Sequence, residues 1–251
     1  MKQLEDMKEL KKQIMELLQQ KLSVYGFKKK QQRLLIRTVK EDNVVQIIAP
    51  GFAHGVRQRI SVSISVGVIY KDINNEAIKF GEPDRLKHPG AMEITDIGYI
   101  MPQKDYHEWH IALNSDIQSI ENDINNIVST IIQYGFPHLE MLSEEDNLIN
   151  EIDRDSITAH KGRLIPIIYY MRNEKERALQ YIEKSIKEIS KGFTKEDYES
   201  AKRLAGEGGY FIMVENNALK YYMEFVENFK RILNEENVDS VSKENLPDEI
   251  N

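Results

Sequence analysis

The hydrophobic pattern changes period twice along the chain. In the first segment Leu4, Met7, Leu10, Ile14, Leu17, Leu18, Leu22 and Tyr25 recur at steps of three and four. That spacing predicts an amphipathic helix with one apolar stripe. Gly26 predicts its stop, as a C′ residue free to take positive φ. The stripe reads as a face packed on the protein's own sheet, with a partner-binding face as the other use.

After Gly26 short β-branched runs take over. LLIRTV (34–39) and VVQIIA (44–49), separated by KEDN, predict a hairpin. In RISVSISVGVIY (59–70), Ile60, Val62, Ile64, Val66 and Val68 alternate with Arg59, Ser61, Ser63, Ser65 and Gly67. A strict period of two implies a strand with one buried face and one polar face. The serines therefore read as a solvated outer face, and no base can be placed beside them to make a nucleophile.

Residues 71–90 read as a polar connection punctuated by Gly81, Pro83, Pro89 and Gly90. EITDIGYIM (93–101) and YHEWHIAL (106–113) predict two more strands, joined as a hairpin by PQKD. Ser115 and Gln118 form a capping-box pattern that opens a helix with an isoleucine-rich stripe from Ile117 to Ile132. Gly135 and Pro137 predict its end.

The period of 3.6 then dominates. An S-x-x-D cap at 143–146 opens a short helix to about Ile152. Segments 160–171 and 174–190 read as a helical hairpin about Arg172-Asn173, and Thr194–Asp197 caps a further helix to Leu204. The hairpin is similar to a single tetratricopeptide unit, but no second copy follows at that repeat's period. AGEGGYF (205–211) reads as a helix–helix turn, because no Gly-Lys-Ser/Thr follows to make a phosphate loop. A last helix, about 213–234, carries Tyr221, Tyr222, Phe225 and Phe229. The expectation is an α+β protein: an N-terminal helix, an antiparallel sheet of about five strands covered on one face by helices, then C-terminal α-helical hairpins. Its expected divisions are a sheet domain at 1–142, a helical region at 143–236 and a polar, acidic, disordered tail at 237–251.

Composition narrows the chemistry. Among 251 residues there are no cysteines, which excludes disulfides, thiolate zinc sites and thiol nucleophiles. The formal net charge of −7 argues against nucleic acid as the default partner. No apolar run is long enough for a transmembrane helix, and the mixed-charge start is unlike a signal peptide. A cytoplasmic protein is expected, and the richness in Ile, Lys, Asn and Glu points to a bacterial source.

Two clusters invite a site. In KDYHEWHIALNS (104–115), His107, Glu108 and His110 lie within four positions, beside the chain's one tryptophan. On a strand His107 shares a face with Trp109, Ile111 and Leu113, while His110 points the other way with Glu108 and Ala112. The two imidazoles then cannot ligate one ion, and Trp109 reads as a core anchor. A helical 106–113 would reverse that conclusion. The second cluster is Lys28, Lys29 and Lys30 with Arg33 and Arg37. It suits either an anion or a solvated edge strand guarded by lysines.

The order of features also carries a resemblance. A leading helix runs into YGFKKKQQRLLIR, the strand ISVSISVGV follows, and a tryptophan strand feeds a capped helix ending in YGFPHLEMLS. Over about residues 1–145 the chain resembles the bacterial family catalogued as domain of unknown function four-three-zero-four. The resemblance implies an α+β bacterial domain with no established activity and supplies no catalytic, cofactor or metal residues. Separately, the missing catalytic motifs and the net charge of −7 lead to the expectation of a non-enzymatic adaptor or immunity-like module that needs no cofactor. The expected partner is a protein, with no role in nucleic-acid or membrane binding and with oligomeric state left open. The alternative is a small-molecule binder or enzyme using the polar face of the 59–70 strand and the 71–90 connection.

Overall fold

A computed structural model describes residues 2–30, 33–55, 58–87, 91–154, 161–191, 199 and 218–244. The protein is α+β, with an N-terminal helix, an antiparallel sheet and then helices. It divides into two compact units, 1–74 with 85–151 and 75–84 with 152–251.

In the first unit helix α1 (Lys2–Ser23) leads into strands β1 (Lys28–Lys30), β2 (Leu34–Val39), β3 (Val44–Gly55) and β4 (Arg59–Tyr70). These pair antiparallel in sequence order. α1 ends as its glycine predicts: Gly26 has φ 85°, its N–H donates to Ser23 O at 2.9 Å, and Phe27 N–H donates to Leu22 O at 3.3 Å. This is the Schellman pattern, with Leu22 and Phe27 both fully buried beneath it.

Helix α2 (Lys71–Lys79) follows β4, where the sequence suggested an irregular connection. Ile73 and Ala77 within it and Phe80 just past its end are spaced by four and three and are buried, while Ile78 is exposed. The chain passes from the first unit to the second within this helix.

The expected second hairpin does not form. Strand β5 is short (Glu93–Asp96), a single helical turn α3 (Ile97–Ile100) follows it, and strand β6 is Trp109–Ala112. Both strands pair with β4 rather than with each other, β5 along residues 65–68 and β6 along 59–62. β4 has 12 residues, so one edge accommodates two four-residue strands end to end. Gly98 is needed in the excursion between them: a Cβ there would lie 2.1 Å from Asp105 O and 2.6 Å from His107 N.

Helix α4 (Ile117–Thr130) is capped by Asp116, whose carboxylate accepts from Ser119 N at 2.8 Å, in place of the Ser115/Gln118 box. It does not stop at Gly135. A π turn (Ile131–Gly135) carries it into helix α5 (Phe136–Leu142), with Phe136 N–H reaching Ile131 O and Pro137 in the first turn. A proline clashes with the carbonyl four residues back in a regular helix. The wider turn accommodates it.

One sheet face packs under these helices. Ile60, Val62, Ile64, Val66 and Val68 are wholly buried, and Tyr70 Oη donates to Leu142 O at 2.9 Å. The other face is drier than its serines suggest. Val45, Ile47 and Ile69 are buried on it, and Ser61 is only 6% exposed. Ala91 and Met92 contribute at the Gly67 end, where Met92 N–H donates to Val68 O at 2.8 Å.

The second unit is helical. Helix α6 (Glu145–Arg154) spans its boundary; α7 (Lys161–Met171) and α8 (Lys175–Ile189) form the expected hairpin; the last helix, α9 (Ala218–Glu244), runs past the end expected at 234. The core joins Phe80, Ile167, Ile182, Phe225 and Phe229. Phe80 stacks on Phe229 at 4.9 Å and meets Tyr170 edge-on at 5.3 Å. Arg163 pairs with the buried Glu82 at 2.8 Å. Burial pushes the Tyr222 phenol up to about 12, and its hydroxyl donates to Gly162 O at 3.0 Å. The T-x-x-D cap at 194–197, its helix to 204 and the glycine-rich 205–211 lie outside the described residues.

Candidate functional site

The lysine-rich segment and α1 together build a cleft of about 570 Å³. On α1, Lys8, Lys11, Lys12 and Met15 sit at i, i+3, i+4 and i+7, so they share one helical face. That face lies one residue round the helix from the core stripe of Met7, Leu10, Ile14, Leu18 and Leu22. On the sheet, Lys29 is the member of the triplet that shares the helix-covered face with its partner Leu35. Lys28 and Lys30 point to the opposite face, where Lys30 Nζ donates to Leu86 O at 3.2 Å. Arg33, in the β1–β2 turn, adds a fifth cation.

The floor is apolar. Phe52 projects from β3 on the same face, opposite Val62, and Met15 of α1 lines the cleft with it. Met15 is buried and Phe52 half-buried, while Lys8, Lys12, Lys29 and Arg33 are exposed. One carboxylate lines the cleft, Glu9, 3.5 Å from Lys12 along the helix. The cations Lys8, Lys11, Lys12, Lys29 and Arg33 thus outnumber it five to one along the cleft. On a chain of net charge −7 this is a local inversion of sign over an apolar floor.

Arg37, expected to join this cluster, does not. Its guanidinium lies over both the Phe27 and Phe136 rings, 4.9 Å from each centroid. It donates to Gln46 Oε1 at 2.6 Å and Glu140 Oε1 at 2.7 Å. Gln46 in turn donates to Ser143 Oγ at 2.9 Å, closing a partly buried network between β2, β3 and α5. Arg37 holds the helix end to the sheet.

The second cluster resolves differently. Residues 109–112 are strand, so His110 lies on one face with Glu108 nearby, and Trp109 and Ile111 lie on the other. Ile111 is the buried anchor. Trp109 is not: it is half-buried, its indole N–H donates to Asn126 Oδ1 at 2.9 Å, and His107 meets its ring edge-on at 4.4 Å. Across the ladder His110 Nδ1 is 3.1 Å from Ser61 Oγ, so a base does stand beside one of the serines. Glu108 Oε1 lies 3.2 Å from the same hydroxyl and 3.5 Å from His110 Nε2. Tyr106 Oη donates to the other carboxylate oxygen at 3.3 Å. The carboxylate thus competes with the imidazole for the single serine proton. Ser61 is buried with both partners satisfied locally, a cross-strand tie rather than an activated nucleophile. Among the described residues no group of three His, Cys, Asp or Glu side chains is placed to hold a metal.

Nearby, Asp96 accepts from Gly98 N at 3.0 Å, and burial raises its carboxyl above the ordinary range despite that bond. Its neighbours are backbone N–H groups, which orient it as a cap for α3.

No known protein family, curated protein or solved structure matches this chain. Among the described residues no helix is long and apolar enough to cross a membrane. The cleft differs from the Ser61 cluster in having an excess of one charge, open volume and apolar surface in one place, which are the attributes of a binding site. The signal for half of it was present in the sequence as Lys28–Lys30 and Arg33. The other half, Lys8, Lys11 and Lys12, had been hidden by the equally regular apolar stripe beside it.

Proposed function

We propose that the protein is a non-enzymatic, cytoplasmic binding module of the adaptor or immunity type, which receives a partner protein in the cleft between α1, β1 and β3. Membership of the bacterial family it resembles over residues 1–145 belongs to the same proposal. The observation that carries the reading is the gathering of five cations, from a helix, a strand and a turn, over Met15 and Phe52. Holding like charges together opposes folding, and cations scattered singly on the surface would avoid that cost. A partner of opposite charge offsets it on binding. Protein interfaces combine such a charged rim with an apolar centre.

The test is site-specific photo-crosslinking in cells of the source organism. A photoreactive residue at position 12, on the cleft rim, is compared with one at Asn122, on the exposed side of α4. Position 12 is expected to give one stoichiometric adduct that disappears in a Lys8→Glu/Lys29→Glu background. Equal labelling from both positions, or no stoichiometric adduct, overturns the reading.

A further inference from the structure

The cleft's lining specifies the chemistry of its occupant, and we infer that this is an acidic amphipathic segment of a partner protein: an apolar side chain seated on Met15 and Phe52, flanked by carboxylates on both sides. This rests on the binding-module reading above and sharpens it. The two banks differ. Lys8, Lys11 and Lys12 form a rigid row on α1, with neighbouring side chains one helical turn apart. Lys29 and Arg33 stand opposite, on the short edge strand and its turn. An extended segment lying between them meets positive charge on either side and apolar surface beneath.

Nucleic acid fits less well. A backbone of phosphates needs a continuous basic track, because each neutralised phosphate contributes separately. Here five cations gather about one cleft of about 570 Å³ on a chain of net charge −7. The cations are also mostly lysines. Phosphate readers favour arginine, whose planar fork grips two oxygens at once, whereas an ammonium acts as a point charge. Lysines on flexible stems suit carboxylates spread along a peptide. Phe52 offers an anchor pocket of the kind that concentrates binding energy at the centre of an interface. Glu9, paired to Lys12, narrows the choice further, since an occupant must place its nearest carboxylate away from it.

The experiment is fluorescence anisotropy on the full chain with four labelled probes. The first is a twelve-residue peptide with six Glu or Asp residues around a Leu-Phe pair. The second replaces the Leu-Phe pair by Ser-Ser, the third replaces the acids by Gln and Asn, and the fourth is a twelve-nucleotide oligothymidylate. The first probe is expected to bind at least tenfold more tightly than each of the others. Lys8→Glu/Lys29→Glu should weaken it tenfold or more, and so should raising salt from 50 to 300 mM, which shortens screening to below the width of such a cleft. Phe52→Ser should weaken it to the level of the Ser-Ser peptide. Phe52→Leu, with circular dichroism on every variant, separates loss of the anchor from loss of fold. Oligothymidylate binding as tightly as the first peptide, or the neutral peptide doing so, overturns the inference. If no peptide binds while position 12 still crosslinks to a protein, the occupant's chemistry is wrong and the binding-module reading stands. If neither occurs, both fall.

Discussion

Arg37 offers a clear separation of competing interactions. Its guanidinium makes four kinds of contact: two aromatic faces, a neutral amide oxygen, a carboxylate and, at 3.3 Å, the exposed Tyr25 carbonyl. The Glu140 pair is the one between opposite charges, at 2.7 Å, but Glu140 is 58% exposed and the Arg37 side chain only 17%. An ion pair with one partner in solvent contributes about 0–1 kcal/mol. The bond to Gln46 Oε1 is different, because Gln46 is wholly buried. Removing a charged donor from a buried acceptor costs roughly 1.5–3 kcal/mol. Each ring contact adds about 0.5–1 kcal/mol. Arg37→Met keeps part of the packing, so its expected cost is roughly 3 kcal/mol, near the lower end of the roughly 2.5–5 kcal/mol these contributions sum to. Glu140→Gln should cost less than about 1 kcal/mol. Urea unfolding followed by tryptophan fluorescence measures both, because Trp109 is the chain's one tryptophan and lies in the first unit. If Glu140→Gln costs as much as Arg37→Met, the buried amide and the rings are not what Arg37 serves, and the ranking by burial is refuted.

Gly98→Ala should destabilise the same unit by roughly 1–3 kcal/mol, since the new methyl group meets backbone that cannot retreat as a flexible side chain could; a loss below a few tenths in the same titration would contradict the close approach. Asp116 and Asp96 should show opposite pH dependence. Bonding to Ser119 lowers the folded pKa of Asp116, so its stabilisation is present above the unfolded value near 3.8 and is lost on acidification; the melting-temperature deficit of Asp116→Ala should shrink as pH falls from 6 to 3. Burial raises the folded pKa of Asp96, so its contribution is present below 3.8 and is lost as pH rises; Asp96→Asn should gain on wild type between pH 3 and 7. Ser61→Ala should cost about 1 kcal/mol or less, because His110 and Glu108 keep access to water. A fluorophosphonate probe should leave wild-type Ser61 unlabelled by mass spectrometry, and covalent labelling there would reverse the structural reading of that cluster.

The strongest element of the sheet was legible because its chemistry repeats. β4 alternates for ten residues, and no helix buries that pattern. Gly26 was legible because one residue at the end of an apolar stripe needs positive φ. β5 and β6 misled for a definable reason. Two short apolar runs with a polar turn look the same whether they pair with each other or both with a third strand, and only the length of β4 decides. α2 was obscured by its composition: Ile73, Ala77 and Phe80 have helical spacing, but KDINNEAIK surrounds them with turn formers. A lone tryptophan in a strand pattern points to the core, whereas the N–H of Trp109 holds it at the rim beside Asn126. In the cleft, the lysines of β1 were conspicuous as a run. Those of α1 gain meaning only once β1 and Phe52 face them. Arg37 was grouped with them by sequence proximity, and two phenylalanines 109 positions apart, Phe27 and Phe136, claimed it instead.

The passage of the chain between units at α2 has a practical consequence for dissecting the protein. A cut after residue 151 would not release two self-sufficient halves, because residues 75–84 belong to the later unit although they lie within the earlier stretch of sequence. A fragment ending at 151 would carry Ala77 and Phe80 without the rings of Phe225 and Phe229 that enclose them. It would expose that apolar surface to other copies and invite aggregation. A fragment starting at 152 would lack Phe80 and also Glu82, leaving Arg163 without its buried counter-ion. The two units are therefore interleaved in sequence, and a deletion series designed from either end would read a shared folding defect as the loss of whichever function was being assayed.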